Sequence, residues 1–471
     1  VIDLISITTA VIRPGSASIM SDVLNGISRD YGIPEIDEIL SDSFGHVIYQ
    51  EQTINLIKYA GFSGSQADII RRAIGHKDAE VINNWIPEFK ETLVNKIMSD
   101  YPTKDKEEVI ETVDGLAQII IDSSAYSFNK SHAVAYSYIS YETAWLRKYY
   151  PLEWLTAGFI IWRNSLDKVN TLTRLADKLN ISINPVKFRY SRGDYFMDTD
   201  NNDIYEGTGA IKGNNIKVGD QLYTLRDRDY KSFTDLLVDI HDDFILSVNG
   251  KEYDKFSVLS MNEDEVKELD KDIKDARKEN QDNVIETSDK LSINKTQMLS
   301  LIRLDYFSEF GGGKKLEKIY DKFKKDYKPN NKTYKNKALK YQDVLAFEQS
   351  AKDEQYNIYE ICDNQMQYLE RVTIHDESIP PQFAFVVSVD KEAKSYTMLT
   401  IHNINKGVTV TAKVPVKMYR NVPTKGGDIV QVIESETKGK VVRTADGWKT
   451  SDTEKELWLN SIKYIRNTNR K

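Results

Sequence analysis

The spacing of apolar residues changes along this chain, and the change limits the folds that the chain can adopt. From residue 1 to about 165, apolar residues recur with the period of an amphipathic helix, whereas from about 370 to 470 apolar and polar residues alternate as they do in strands. A length of 471 residues also exceeds one ordinary domain. We therefore predict a multidomain α+β protein.

Four helices of the first region have clear ends. The pattern predicts helices over 49–60, 65–75, 106–124 and 131–149. Ser65 with Asp68 three residues later predicts a capping box, Gly75 predicts the end of that helix, and Pro151 ends the fourth.

Three aromatic residues of the fourth predicted helix, Tyr138, Tyr141 and Trp145, fall on one stripe. A stripe of this kind is more often buried in a core than used as a platform for stacking bases. We therefore predict that these side chains are core residues.

Two segments in the second half carry opposite charge, although the whole chain has a net charge of -8. Residues 241–290 hold 15 acidic and 8 basic residues, and we predict an insertion that is partly disordered or forms a loose helix. Residues 311–340 hold 11 lysines and 3 acidic residues. Such a segment suits a nucleic-acid backbone, and a solvated lysine face without a ligand is an equally open alternative.

The end of the chain predicts a small β-barrel. Strand-like segments lie at 383–387, 396–401, 408–411 and 429–433, with turns at 425–428 and 446–447. Several short strands within about 100 residues are typical of an OB-like barrel.

Cysteine use and hydropathy bear on location. The single cysteine, Cys362, cannot form an internal disulfide or a cysteine-based zinc site, which favours a reducing cytoplasmic location. No apolar run approaches the roughly 18 residues of a membrane span, so no membrane partner is expected.

Two stretches carry a family resemblance. The first is FGHVIYQEQ at 44–52 followed by ADIIRRAIG at 67–75, and the second is YSFNKSHAVAY at 126–136, which continues to 151. They resemble the fingers of the C-family DNA polymerases, the bacterial DNA polymerase III alpha subunits. Residues 13–15, Arg-Pro-Gly, resemble the family's segment ahead of the fingers.

The resemblance implies that these motifs bind the triphosphate of the incoming nucleotide. Arginine suits this task because its guanidinium is always charged and matches phosphate oxygens, and a loop that enters a helix adds free N–H groups. The predicted residues are Arg71, Arg72, Lys77, Asn129, Lys130, Ser131 and His132. The alternatives are a solvated arginine pair, a simple N-cap at Ser131 and an exposed His132.

Later segments resemble the family's helix-hairpin-helix module. The predicted DNA-binding residues are Gly207, Gly209, Lys212, Gly213, Lys314 and Lys315, although Asn214 and Asn215 stand where a second hairpin glycine is expected. Gln342, Leu345 and Phe347 have the spacing of the family's sliding-clamp peptide, but an amphipathic helix turn is the favoured alternative there.

The resemblance implies the following organisation. We predict fingers over 1–165, a small strand region with a first helix-hairpin-helix over 166–240, the acidic insertion over 241–290, a second helix-hairpin-helix with the lysine-rich segment over 291–345, a helical linker over 346–369 and the barrel over 370–471.

The family's catalytic aspartates lie upstream of the fingers, and no motif here replaces them. We expect no catalytic or metal-ligating residue in this chain: Asp198 and Asp200 stand in an Asn/Asp-rich turn, which is the ordinary use of such residues. The expected partners are primer-template DNA, a dNTP, a palm-bearing polymerase segment that holds Mg²⁺ and, more weakly, a sliding clamp. The alternative is a non-catalytic DNA-binding replication accessory protein derived from such a polymerase.

Overall fold

The computed structural model describes residues 1–12, 17–76, 78–124, 128–330, 333–390, 395–444 and 447–465. The chain forms two compact units, Val1–Pro151 and Leu152–Lys471. Helices and sheets are both present, which confirms the mixed α+β class. The Arg-Pro-Gly segment at 13–15 lies outside the described residues.

The described part of the first unit is helical. Its helices are α1 (Ile2–Val11), α2 (Ala17–Leu24), α3 (Pro34–Leu40), α4 (Gln50–Tyr59), α5 (Gly64–His76), α6 (Ala79–Asp100), α7 (Lys106–Ser124) and α8 (Lys130–Tyr149), with a 3-10 turn at Ser41–Ser43. Helices α3 to α7 share one apolar core, and a smaller core joins α1 to the first turn of α8. The predicted helices over 49–60, 106–124 and 131–149 are confirmed.

The start of α5 differs from the prediction. Ser63, not Ser65, caps the helix: the Ser63 N–H donates to Gln66 Oε1 at 2.9 Å, and the Gln66 N–H donates to Ser63 Oγ at 3.3 Å. The helix also continues through Gly75, because one glycine near a helix end costs only about 1 kcal/mol. The predicted Ser65–Asp68 capping box is therefore wrong, and the Asp68 carboxylate serves another purpose.

The aromatic stripe of α8 is not a core. The exposed fractions of Tyr138, Tyr141 and Trp145 are 54%, 43% and 42%, so the prediction of buried side chains is wrong. Helical periodicity identifies an apolar face but does not say what covers it. Within α8, only Ala133 and Ser137 are buried.

The described part of the second unit combines helices with three sheets. Its helices are α9 (Pro151–Trp162), α10 (Leu166–Lys178), α11 (Ile216–Tyr223), α12 (Phe233–His241), α13 (Lys255–Ser260), α14 (Glu263–Glu279), α15 (Lys295–Arg303), α16 (Gly313–Asp326), α17 (Tyr334–Ser350), α18 (Ile358–Leu369) and α19 (Val416–Asn421). Its strands are β1 (Ser182–Asn184), β2 (Phe196–Asp198), β3 (Asp203–Tyr205), β4 (Asp243–Val248), β5 (Lys251–Tyr253), β6 (Val284–Asp289), β7 (Phe383–Asp390), β8 (Tyr396–Asn403), β9 (Val408–Pro415), β10 (Ile429–Thr444) and β11 (Gly447–Ile465).

The acidic segment 241–290 folds into helices and strands, so the prediction of partial disorder is wrong, whereas the alternative of a helix is met by α14. Strands β5, β4 and β6 form an antiparallel sheet, and α14 buries Val266, Leu269 and Ile273 in the largest core of the chain. These apolar positions on α14 recur at helical spacing within a mostly charged sequence. Composition alone conceals them, because each buried residue stands among charged neighbours that face solvent.

The last five strands close into a barrel in the order β10-β11-β9-β8-β7, with β10 returning to β7. All neighbours are antiparallel except β9 and β11, which pair in parallel through Leu457–Ala412 and Trp458–Lys413. Helix α19 lies between β9 and β10 in the sequence, and the barrel encloses its own apolar core.

Candidate nucleotide and nucleic-acid interface

The two motif stretches of the first unit meet in space. Tyr49 and Phe128 form an isolated parallel bridge, in which the Gln50 N–H donates to Phe128 O at 2.9 Å and the Phe128 N–H donates to Ile48 O at 3.0 Å. This bridge brings the start of α4 next to the start of α8, although about 80 residues separate them in the sequence.

A buried side chain fixes the backbone at the start of α4 through hydrogen bonds. Gln52 is buried, and its Oε1 accepts hydrogen bonds from the N–H groups of Ile48 and Tyr49 at 3.0 and 2.9 Å. Gln52 therefore positions the backbone of this motif.

The N-terminus of α8 already holds an anion. Asn129 is its N-cap and accepts from the His132 N–H at 2.9 Å, while the Glu51 carboxylate accepts from the Lys130 N–H at 3.1 and 3.0 Å. The helix dipole favours negative charge at this position. A carboxylate of the chain therefore lies at the helix start where the sequence predicts a bound anion.

The side chains around this helix start present cationic and aromatic groups. Lys130 Nζ forms an ion pair with Asp42 and lies 5.9 Å from the centre of the Tyr49 ring. This ion pair raises the pKa of Lys130 above its usual range, so the amine is charged at neutral pH. His132 is exposed and stands 4.5 Å from the Tyr136 ring, while Ser131 is exposed beside it.

One carboxylate holds both predicted arginines on α5. Arg71 donates through Nε and Nη2 to Asp68 Oδ1 at 3.1 and 2.9 Å, and Arg72 Nη2 lies 2.7 Å from Asp68 Oδ2. The Arg71 side chain is 19% exposed and that of Arg72 is 67% exposed. Hydrogen bonds from Arg71, with both positive charges, hold the pKa of Asp68 below its usual range. Lys77 lies outside the described residues.

The predicted hairpin at 207–213 is a tight turn before α11. A Cβ on Gly207 would come within 2.3 Å of the Asp194 backbone, so this glycine is needed for the close approach of two chain segments. Gly209 likewise lies against Gly193 and Ile216. Gly213 faces open space with φ +83°, a conformation that favours glycine.

The polar residues beside the hairpin glycines form an ion pair and a hydrogen bond with other side chains of the chain. Lys212 is exposed and pairs with Glu370 at 2.7 Å. Asn214, at the position where a second glycine was expected, donates through Nδ2 to Ser300 Oγ at 2.6 Å.

Polar groups at the start of α16 likewise have partners within the chain. The Gly312 N–H donates to Asp353 Oδ1 at 2.7 Å, and Lys314 Nζ lies 2.8 Å from Glu360 Oε2. Lys315 forms no ion pair with a described residue. Of the three lysines predicted to contact DNA, Lys212 and Lys314 form ion pairs with glutamates, and Lys315 is the one that pairs with no described carboxylate.

The sequence analysis missed an aromatic cluster on the barrel. Tyr396 and Trp458 meet edge to face at 5.8 Å, Lys413 Nζ lies 4.3 Å from the Tyr396 ring centre, and Lys438 Nζ lies 5.0 Å from that of Trp458. The cluster joins β8, β9, β10 and β11. No short sequence signal could reveal it, because its members come together only through barrel closure.

The clamp-like residues lie inside α17. Gln342 Nε2 donates to the backbone oxygens of Leu259 and Met261 at 2.9 and 2.8 Å, and Leu345 and Phe347 pack against the main core. These contacts favour the helix-turn alternative over an available clamp peptide.

Candidate metal sites and membrane-spanning helices are both missing from the described residues. No group of three or more His, Cys, Asp or Glu in them could hold a metal ion. Asp198 closes a turn by accepting from the Asp200 N–H at 3.1 Å. None of the described helices has the length and apolar character needed to cross a membrane.

Comparisons with known proteins agree with the motifs. Residues 2–97 match the family model described as the bacterial DNA polymerase III alpha subunit finger domain. The chain is 30% identical over 238 residues to a DNA polymerase III subunit alpha from Campylobacter jejuni, covering 48% of this chain and 19% of that protein. It is 32% identical over 243 residues to the protein of that name from Treponema pallidum, covering 50% of this chain and 20% of the relative.

A third relative gives the same result. The DNA polymerase III subunit alpha of Ureaplasma parvum is 33% identical over 244 residues, which cover 50% of this chain and 24% of the relative. The matched part of the chain spans about a fifth of the length of these relatives. The resemblance to DNA polymerase III alpha subunits that the motifs predicted is thus confirmed for about half of the chain.

Proposed function

We propose that this chain supplies the fingers and DNA-binding modules of a replicative DNA-directed DNA polymerase. The observation that carries the proposal is the junction of the two motifs, where the N-terminus of α8, Lys130 and the Tyr49 segment converge. A helix N-terminus with an adjacent lysine suits a triphosphate. The finger-domain match over residues 2–97 supports the same assignment.

We further propose that carboxylates of the chain hold the phosphate-binding groups in place until nucleotide arrives. Glu51 accepts from the Lys130 N–H, Asp42 pairs with Lys130, and Asp68 holds both arginines. A triphosphate carries more negative charge than any one carboxylate and can replace these acids. Arg72, which is more exposed than Arg71, is free to turn furthest toward the ligand.

Nucleotidyl transfer needs two Mg²⁺ ions to align the attacking hydroxyl and to neutralise charge on the phosphates. Their ligands belong to a palm-bearing segment in this proposal. This chain contributes the groups that bind and orient the nucleotide. The exposed aromatic face of α8 is a surface that such a segment could cover.

Primer extension tests this division of labour. With Mg²⁺, all four dNTPs and a primed template, the chain alone should give no extended product, whereas addition of a palm-bearing polymerase segment should give extension. Extension by the purified chain alone would overturn the proposal. DNA binding without extension, even beside the palm-bearing segment, would instead favour the accessory-protein alternative.

We infer that the barrel is an OB-like module for single-stranded template. Five strands, closed in Greek-key order with a helix before the fourth, fit that fold. Tyr396 and Trp458 offer stacking surfaces, and Lys413 and Lys438 lie beside them, each paired with a glutamate of the barrel. Such platforms bind single strands with little sequence preference.

Replacement of the barrel tryptophan tests this module. Trp458→Ala should weaken binding of the full chain to a labelled oligothymidylate by about 5- to 150-fold, because one stacked base contributes about 1–3 kcal/mol. Fluorescence anisotropy would measure the Kd. Tyr464→Ala, on the same strand but outside the cluster, is the matched control. Equal Kd values for the two variants would exclude the Tyr396–Trp458 platform.

A further inference from the structure

Most of the positive charge in the lysine-rich segment is neutralised within the fold. Six of the lysines that the structure describes there form ion pairs with carboxylates, including Lys318 with Glu354 at 2.9 Å and Lys322 with Asp326 at 2.5 Å. The six are Lys314, Lys318, Lys322, Lys335, Lys337 and Lys340. The segment as a whole is therefore not a uniform phosphate-binding face, and an external anion would meet the least competition from carboxylates at its unpaired lysines.

Lys324, on α16, is surrounded by other cations. Lys328 Nζ donates to Lys324 O at 2.7 Å, and Lys290 and Lys295 are also near enough to act on it. Partial burial, followed by the charges of these three lysines, lowers the pKa of Lys324 below its usual range. Neither Lys290 nor Lys324 forms an ion pair with a described residue. The positive charge of Lys290 therefore acts on Lys324, whereas Lys295 is itself paired with Asp321 at 3.0 Å.

A cavity of about 390 Å³ opens beside these lysines. Lys290, Lys324 and His241 line it together with the short segment that leads to Asn294, the N-cap of α15, and none of its lining residues is acidic. The helix dipole of α15 adds positive potential at the same place. The volume is sufficient for a tetrahedral oxyanion and its water.

His241 forms a buried polar wall of this cavity. It is 8% exposed, and its ring stacks on those of Tyr320 and Phe323 at 6.0 and 5.8 Å. His241 Nε2 has no hydrogen-bond partner in the described chain. Burial, with the charges of Lys324 and Lys290, lowers the pKa of His241 to about 3. An unsatisfied buried imidazole nitrogen is costly, so a polar partner that approached Nε2 from the cavity would relieve that cost.

The cavity at the hairpin differs in this respect. Its volume is about 330 Å³, and its cations all have carboxylate partners: Arg163 with Asp194 at 2.6 Å, Lys212 with Glu370 at 2.7 Å and Arg371 with Glu206. Any ligand there has to displace an internal acid. The cavity beside Lys324 has the opposite charge balance, since its cations are present and their counter-charge is not.

We propose that the cavity bordered by His241, Lys290 and Lys324 binds a phosphate group of the DNA backbone. The inference rests on the proposed function for its DNA ligand, but it assigns a contact to the acidic segment 241–290, which contributes two of the three residues. The segment therefore contacts DNA through Lys290 and the neutral His241, and no acidic residue of the segment lines the cavity.

The salt dependence of DNA binding tests the site. A Lys290→Gln/Lys324→Gln double variant of the full chain should bind a labelled primer-template at least about 5-fold more weakly at 150 mM salt, and the slope of log K against log salt should fall in magnitude by about 1 to 2, since each lost phosphate contact removes about 0.9. Lys318→Gln/Lys322→Gln removes the same charge from ion-paired positions of α16 and should change the slope much less.

Inorganic phosphate supplies the second arm. Addition of inorganic phosphate to the unmodified, histidine-labelled chain should shift the NMR signal of the His241 imidazole until the site is saturated. The Lys290→Gln/Lys324→Gln variant should show no such shift. Equal salt slopes for the two double variants would overturn the site while the proposed function stands. Failure of the unmodified chain to bind DNA would overturn the proposed function and the DNA assignment together, and a saturable phosphate shift would then assign the cavity to a free phosphate.

Discussion

Lys337→Met is expected to lower the free energy of unfolding of the second unit by about 3–5 kcal/mol, because it leaves a buried carboxylate without its counter-charge. Lys337 Nζ lies 2.9 Å from Asp242 Oδ2, and the side chains are 5% and 0% exposed. The hydroxyl of Tyr327 also donates to Asp242, at 2.7 Å, but a neutral hydrogen bond does not replace the lost charge. Urea denaturation followed by circular dichroism measures the loss.

Two further variants make this test specific. Lys340→Met removes an exposed lysine of the same helix, paired with Asp343 at 3.1 Å, and should cost far less. Adding Asp242→Asn to Lys337→Met should recover part of the lost stability, since the buried charge is then gone. If Lys337→Met unfolds no more easily than Lys340→Met, the buried pair does not contribute as argued.

The buried pair also shows why the acidic segment was misjudged from sequence. Asp242 and Lys337 are 95 positions apart, so a count of charges in a window assigns them to opposite blocks and cannot pair them. The helix periods of α4, α7 and α8 were readable because local spacing sets them. Ion pairs between residues far apart in the sequence leave no pattern in a short sequence window. Such pairs join the acidic segment 241–290 and the lysine-rich segment 311–340 in one folded region.

The same limit applies to the candidate nucleotide site. The residues at the start of α8 could be predicted as an anion site because a loop, an N-cap and a lysine adjoin in sequence. The contact of Glu51 with this helix start could not be predicted from the sequence. It depends on the bridge between Tyr49 and Phe128, which is a tertiary contact. The nucleotide site thus stays a prediction from local sequence, and the structure adds the acids that already contact its groups, Glu51 and Asp42.

Exposure of the α8 stripe has a related cause. Tyr138, Tyr141 and Trp145 obey the spacing of a buried face, yet no described residue covers them. A large exposed apolar face commonly marks an interface. In the proposed polymerase this face of α8 would pack against a further segment. The helical spacing was therefore identified correctly, and the prediction of a core failed because no described residue packs on these side chains.

Arg72→Ala is expected to raise the KM for dNTP by about 10- to 100-fold in the polymerase assembled with a palm-bearing segment. Loss of a charge-assisted contact to phosphate costs about 1.5–3 kcal/mol, and each 1.4 kcal/mol corresponds to a factor of ten. Arg72 is the residue to test because its side chain is 67% exposed and one ion pair to Asp68 holds it. Steady-state primer extension at varied dNTP gives KM and kcat.

Lys58→Ala is the matched control, since it removes an exposed cation from the last turn of α4 in the same unit. It should leave KM unchanged. Lys130→Ala should also raise the KM for dNTP, because the Lys130 amine and the Arg72 guanidinium are both proposed to contact the triphosphate. If Arg72→Ala and Lys130→Ala both keep the KM of the unmodified polymerase, the ion pairs with Asp68 and Asp42 are structural, and the triphosphate binds elsewhere on the fingers.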